Sequence, residues 1–331
     1  MGISYVIGHG PTTAREIIDS AILAERYHFT WAFMPEHYYD RESPSILGAI
    51  AQSTSTLKIG TGIINPYSRF PSLIAMTIAT LDELSQGRVI LGLGSGGVIG
   101  SLTHGIPNEF VNQKSDYPLG HLRETVEIVR RLLAGETVTF HSKYYSLDGV
   151  QLHFKPVQSK IPIYFGQQGP KMMQLAGQVA DGVLITLCCT VPYVRDVIHR
   201  VEDSAQASNR KPGSVDFAAR IITSLADDPK EAIKRAKQLV GRVFIHPGAK
   251  PVMDITGIKL DIEAIKKAVD GGKSERLNEL VPDEVVELTT ASGTKRRIID
   301  RIEDYREAGV THPLIVPIGT NYTEIIRCFA S

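Results

Sequence analysis

Glu36 and His37 stand side by side where an apolar run, Phe29 to Met34, ends at Pro35. Imidazole has an unperturbed pKa of ~6.5, and an adjacent carboxylate can orient it or raise that value, so the pair can hold or deliver a proton near neutrality. An ordinary polar strand end would have the same composition. A second group of residues, Gly166-Gln167-Gln168-Gly169-Pro170, follows the apolar Ile161 to Phe165. Pro170 suits the first position of a helix, where its missing N–H costs nothing. The free N–H groups and the positive end of that helix would face an anion above the strand, with phosphate a good candidate. Lys171 adds a cation beside it or is simply solvated. A third stretch, Thr61 to Arg69 (TGIINPYSR), combines Gly62, which permits backbone conformations closed to other residues, with the amide of Asn65 and the strand-breaking Pro66. Ser95-Gly96-Gly97 forms a further glycine-rich loop. Two such loops, an amide and one acid/base pair among apolar residues suit a flat, largely apolar cofactor with an anionic tail. Ser-His-Asp order, His/Cys metal clusters, a Walker loop and HExxH are all missing, so no metal site is expected.

These residues need a scaffold, and the hydrophobic pattern supplies one. Apolar strands are expected at 2–8, 29–34, 57–64, 88–94, 161–166, 181–187, 215–225 and 312–318. Helical spacing is expected over 13–28, 45–53, 73–84, 121–133, 194–207, 230–244 and 294–308, with a helix opening at Pro170 and a short one at the end of the chain. Thr12 or Thr13 would cap the first helix. Eight strands, each followed by a helix, fit a (β/α)₈ TIM barrel. A doubly wound sheet is disfavoured because no G-x-G-x-x-G turn follows the first strand. In a barrel the carboxyl ends of the strands form the catalytic face, which is expected to gather Ser4 or Gly8, Glu36-His37, Ile63-Ile64-Asn65, Ser95-Gly96-Gly97, Gly166 to Gly169, Thr186 and Pro317-Ile318-Gly319.

The whole of residues 1–331 reads as a single barrel domain with three departures from the repeat. A polar, glycine- and proline-bearing connection near 98–120 is expected to be a lid. Residues 137–154 read as a two-stranded excursion around Asp148-Gly149, and 247–291 as a helical insertion packed on the barrel.

Hydrophobic residues make up 43% of 331, enough for a large core. Lys plus Arg equals Asp plus Glu at 36 each, which argues against nucleic acid or an acidic membrane surface as partner. Cys188, Cys189 and Cys328 are too few and too poorly spaced for a disulfide framework, and they read as reduced thiols in a cytoplasmic protein. No stretch is long and apolar enough to span a membrane.

Three stretches carry a resemblance to a known family. They are Gly62-Ile63-Ile64-Asn65-Pro66-Tyr67-Ser68-Arg69-x-Pro71, Ile78-Ala79-Thr80-Leu81-Asp82-Glu83-Leu84-Ser85-x-Gly87-Arg88, and Ile161-Pro162-Ile163-Tyr164-x-Gly166-x-Gln168-Gly169-Pro170. They resemble the methylenetetrahydromethanopterin reductases of the bacterial luciferase-like superfamily, which use the deazaflavin coenzyme F420. The resemblance implies a luciferase-like barrel that binds F420 across its strand ends and transfers a hydride to or from an organic substrate such as a methylene-pterin. It also implies a cis peptide at Gly62–Ile63, with Gly62, Ile63, Ile64 and Asn65 backing the ring. Ser95, Gly96 and Gly166, Gln167, Gln168, Gly169 and Pro170 would bind the rest of the cofactor, and Glu36 and His37 would stand near the reacting edge. A homodimer is implied as well, through helices around 73–84 and 121–133. Two places depart from the reductase pattern: an acidic residue near the end of the first strand and an aspartate after the fourth-strand Gly-x-Gly are replaced by Ser4 and Gly97. Gly135-Glu136-Thr137-Val138-Thr139-Phe140 and Tyr144-Tyr145 resemble instead the hairpin of the FMN-dependent monooxygenases in the superfamily. An FMN-dependent monooxygenase and a non-catalytic flavin-binding relative therefore stand as alternatives.

Overall fold

The fold was taken from a computed structural model, which describes residues 2–7, 10, 13–36, 40–94, 117–166 and 169–329. Its strands, in chain order, are β1 (Ser4–Val6), β2 (Trp31–Met34), β3 (Lys58–Thr61), β4 (Val89–Leu93), β5 (Val138–His141), β6 (Ser146–Val150), β7 (Ile163–Gly166), β8 (Gly182–Ile185), β9 (Asp216–Leu225), β10 (Ala291–Gly293) and β11 (His312–Pro317). Strands β1, β2, β3, β4, β7, β8, β9 and β11 pair in that order, all in parallel, and β11 returns to β1. This is the expected closed (β/α)₈ barrel. The helices are α1 (Ala14–Arg26), α2 (Ser43–Ser53), α3 (Pro71–Leu84), α4 (Tyr117–Leu133), α5 (Pro170–Val179), α6 (Val191–Ala207), α7 (Pro229–Phe244), α8 (Lys250–Thr256), α9 (Ile262–Asp270), α10 (Leu277–Leu280), α11 (Asp283–Thr289), α12 (Lys295–Glu307) and α13 (Tyr322–Arg327).

Barrel strands bury both faces, which is why they read as continuous apolar runs. Alternate residues divide between two cores. Val6, Trp31, Phe33, Ile90, Tyr164, Leu184, Ala218, Leu314 and Val316 fill the barrel, whereas Tyr5, Ala32, Ile59, Leu91, Phe165 and Ile315 face the helices. The amino end is plugged: Trp31 stacks on His312 at 3.6 Å, and the Tyr164 hydroxyl donates to Asp216 at 2.6 Å. Access to the interior is therefore from the carboxyl end, as the barrel architecture requires.

Local signals place the helices. Thr13 caps α1, with its hydroxyl accepting from the Glu16 N–H at 3.2 Å while the Glu16 carboxylate accepts from the Thr13 N–H at 3.0 Å. α4 begins at Tyr117, ahead of the expected start at His121, so residues 117–120 belong to a helix and not to the connection before it. The rest of the expected lid, 98–116, lies outside the described residues. Strands β5 and β6 form an antiparallel hairpin whose turn falls at 142–145, so Asp148-Gly149, expected between the strands, lies within β6; a 2.7 Å hydrogen bond between the Tyr145 and Thr125 hydroxyls fastens the hairpin to α4.

Residues 247–291 form short helices that pack on α6 and α7. Their last residues held a strand that the sequence pattern did not predict. β10 pairs with Thr223–Leu225, where β9 runs past the end of β8. The residues Ala291-Ser292-Gly293 have no strand signature of their own, so the overhanging edge of β9 determines their conformation. Among the described residues no helix is long and apolar enough to cross a membrane, and all three cysteines are free and buried.

Candidate active site

At the carboxyl end of β3 the peptide between Gly62 and Ile63 is cis. The ladder to β4 is rebuilt around it. The Gly92 N–H donates to the Thr61 hydroxyl at 2.8 Å, that hydroxyl donates to the Gly92 carbonyl at 2.9 Å, and Ile64 resumes pairing with its N–H on the same carbonyl at 3.0 Å. The Ile63 side chain thereby rests on the barrel's inner core. Two glycines make room for it. A Cβ at Gly166 would come within 2.6 Å of Ile63 Cγ2, and one at Gly94 within 3.1 Å of Ile63 Cγ1. Ile63, the last residue of β7 and the residue following β4 thus form one shelf, although they are far apart in the chain. Asn65 closes the segment: its Oδ1 accepts from the N–H groups of Tyr67 and Ser68 at 3.0 and 3.1 Å, an Asx turn that directs the chain toward α3.

Glu36 leaves β2 at the neighbouring strand end. Its Oε1 accepts from Arg69 Nε and Nη2 at 3.3 and 3.2 Å, and Arg69 also donates to Glu42. One guanidinium therefore serves two carboxylates. Burial raises the Glu36 pKa; Arg69 opposes the shift without cancelling it, and the Glu42 charge adds to it. The second oxygen, Oε2, is buried and has no hydrogen-bond partner among the described residues. A carboxyl group in that state is suited to retain a proton and present it. His37 lies outside the described residues.

Across β7, Gly169 takes φ of 88° and forms the N-cap of α5 without a side-chain cap, with Pro170 following. Among the described residues a Cβ on Gly169 would meet nothing within 4 Å, so none of them fills the space beside the first turn. N–H groups without a side-chain cap at this turn are free to face an anion. Gln167, Gln168, Ser95 and Gly96 lie outside the described residues.

Several neighbours were not singled out by the sequence. Tyr67 stacks on His121 at 4.7 Å, and the Tyr145 ring lies 4.8 Å from the same imidazole, so the β3 turn, α4 and the hairpin meet at one histidine. Burial pushes the His121 pKa down to about 4. Ser4 is fully buried, with its hydroxyl on Thr30 at 3.2 Å. The inward position at the end of β1 belongs to Val6, which packs in the barrel interior. The mouth is therefore apolar where an acidic residue was sought, and Ser4 lies too deep to replace one; Gly97 lies outside the described residues. A buried-strand arginine, Arg220, was also passed over, although a cation inside the apolar run 215–225 was the available signal.

A barrel with a cis peptide ending its third strand, an interior shelf above it and an open helix terminus opposite defines a class of protein. The chain belongs to the luciferase-like monooxygenase family, whose profile matches residues 3–312. Among its relatives, the 5,10-methylenetetrahydromethanopterin reductase of Archaeoglobus fulgidus is 34% identical, over 92% of this chain and 90% of that protein. The F420-dependent glucose-6-phosphate dehydrogenase of Kineococcus radiotolerans is 26% identical over 90% of this chain and 84% of that one. The structure of the coenzyme F420 dependent tetrahydromethanopterin reductase from Methanopyrus kandleri superposes with a TM-score of 0.90 at 29% identity, covering 100% of this chain and 98% of that one.

Proposed function

We propose that this protein is an F420-dependent oxidoreductase that moves a hydride between the deazaflavin and an organic substrate, with a methylenetetrahydromethanopterin-type pterin as the first candidate. The observation that carries the proposal is the Ile63 shelf above the cis Gly62–Ile63 peptide, kept open by Gly94 and Gly166. It is supported by likeness to reductases at 34% identity over nearly the whole chain. The residues fit the cofactor. An apolar shelf suits one face of a planar ring, and the uncapped first turn of α5 at Gly169-Pro170 suits an anionic tail. Gly62, Ile63, Ile64 and Asn65 would support the ring, while Gly166, Gln167, Gln168, Gly169 and Pro170, with Ser95 and Gly96, would hold the remainder.

Bound there in its reduced form, the deazaflavin supplies the hydride for an electrophilic substrate carbon. The chain's part is to orient that carbon and to provide the accompanying proton. Glu36, with a raised pKa and a buried Oε2, holds a proton that can pass to the substrate heteroatom accepting the displaced electron pair. His37, next in the chain, would orient or replenish it. We also infer that two copies pair through α3, whose outer side is apolar.

The test is to mix the protein anaerobically with reduced F420 and candidate acceptors and follow the absorbance of oxidised cofactor. Binding and acceptor-dependent oxidation are expected. Failure of F420 to bind, or binding of FMN with substrate-coupled oxygen consumption instead, would replace this reading by the monooxygenase alternative.

A further inference from the structure

Arg220 lies in the middle of β9, in register with Leu314 and two residues from Ala218, both of which face the barrel interior. A strand places alternate residues on one face, so Arg220 also points inward. Its position along the barrel follows from the pairing. In one direction Arg220 is level with Leu314, Ser4, Trp31 and Lys58. In the other, its neighbour Ala218 is level with Leu184 and Gly166, and Phe165 with Leu93, which bridges to Ile64. Strands in a closed barrel are staggered, and β3 is diametrically opposite β9, so the true level lies midway between these two readings. That midpoint is the Gly62–Ile63 peptide. Arg220 therefore faces the shelf across the barrel mouth.

Its charge is unanswered. Nε donates to the Ile185 carbonyl at 3.3 Å, but among the described residues neither Nη makes a hydrogen bond and no carboxylate reaches the guanidinium. Burial lowers its pKa. The titratable group that acts on it, the Cys189 thiol, is pushed up to about 12 by burial and so remains neutral at physiological pH. A largely enclosed cation without a counter-charge is costly, and a guanidinium matches the geometry of a carboxylate or phosphate. The side chain is partly exposed, so a ligand entering from the mouth can reach it.

We propose that Arg220 is the specificity-determining residue for the substrate, gripping an anionic oxygen group, carboxylate or phosphate, that projects from the carbon facing the ring shelf. The inference rests on the reading that a ring lies on Ile63, since only then does the open ring face look toward β9. Cofactor and substrate would then occupy opposite walls of one mouth.

Two measurements test it. In cofactor-free protein, glutarate or inorganic phosphate should raise the melting temperature of the wild type by several degrees, that of Arg220→Lys by less, and that of Arg220→Met not at all; comparing the two anions identifies the group preferred. Arg220→Met without ligand should melt no lower than wild type, because it removes a charge that no described carboxylate answers. With F420 loaded, Arg220→Met should keep its cofactor affinity within about twofold while kcat/KM for an anionic substrate falls about tenfold or more. An anion response that survives in Arg220→Met, or is missing from the wild type, overturns the proposal. So does a parallel loss of F420 affinity, which would assign the arginine to the cofactor tail. If Arg220→Met fails to fold, an anion response in Arg220→Lys clearly smaller than that of the wild type counts as support, and a response equal to that of the wild type, or none in either protein, overturns the proposal. Failure of the wild type to bind F420 would remove the redox reading, while the anion measurement would still report on Arg220.

Discussion

A carboxyl group that shares its cation with a second carboxylate, and has one buried oxygen that no described residue bonds, gives up its proton late. That is the position of Glu36 between Arg69 and Glu42. As a general acid it must be protonated, so kcat/KM in the direction of substrate reduction should fall as pH rises through its raised pKa. Glu36→Gln should lower the rate by about 10² and flatten that limb, with F420 affinity retained; an unchanged pH profile would exclude Glu36 from proton delivery. His121 makes a separate prediction about stability. Its folded pKa of about 4 lies below the ordinary 6.5, so the unfolded chain binds the extra proton between those values. The stabilising contribution is complete above about 6.5 and is lost as pH falls toward 4, by roughly 3 kcal/mol in all. Denaturant unfolding at pH 7.5 and 5 should show this fall in the wild type and much less of it in His121→Phe, which keeps a ring against Tyr67. At this scale Glu36 was legible because it ends an apolar run. Arg220 and His121 were not, because their significance comes from opposite strands and from a turn and a hairpin that only folding brings together.

The Ile63 shelf is an arrangement of elements rather than a motif of one strand. β3 can turn Ile63 into the barrel only because β4 and β7 have glycine where it lands. Gly166→Ala would place a Cβ 2.6 Å from Ile63 Cγ2, and should cost about 1 to 3 kcal/mol while weakening cofactor binding, since the shelf must move. Gly169→Ala meets no atom, yet its φ of 88° would cost about 1 kcal/mol and disturb the first turn of α5. Denaturation midpoints with F420 titrations separate the two cases, and a Gly166→Ala protein with wild-type stability and affinity would show that Ile63 is not confined by β7. Much at this scale was readable, because Pro44, Pro71, Pro170 and Pro229 sit in the first turns of their helices and strands buried on both faces read as apolar runs. β10 was hidden for the opposite reason: three small residues pair only because β9 overhangs.

For the whole molecule, the alternation of apolar strands and amphipathic helices pointed to a parallel sheet buried on both faces, and the count of eight strands without a G-x-G-x-x-G turn favoured closing it into a barrel. What remains outside is the surface, where one helix exposes several large apolar side chains. Phe70 is 69% exposed at the N-cap of α3, and Leu73, Met76 and Leu84 follow at 37%, 47% and 39%. Their spacing puts Leu73, Met76 and Leu84 on one side of α3, away from the buried Ile74, Ala75 and Ile78. Exposed Thr80 and Glu83 share that side between Met76 and Leu84, so the apolar part is concentrated at Phe70, Leu73 and Met76, where a second copy is proposed to sit. The N-cap of the helix, Phe70, directly follows Arg69, the residue that holds Glu36, so a second copy seated on α3 would steady the proposed proton donor of each barrel. Light scattering after size exclusion should therefore give twice the chain mass at micromolar concentration. Leu73→Glu with Met76→Lys, both at exposed positions, should give a folded monomer in which kcat falls more than F420 affinity, because the Arg69 anchor loses its support. A wild type that elutes as a monomer, or a double variant that remains dimeric, would show that α3 faces solvent and that Glu36 is held by its own chain alone.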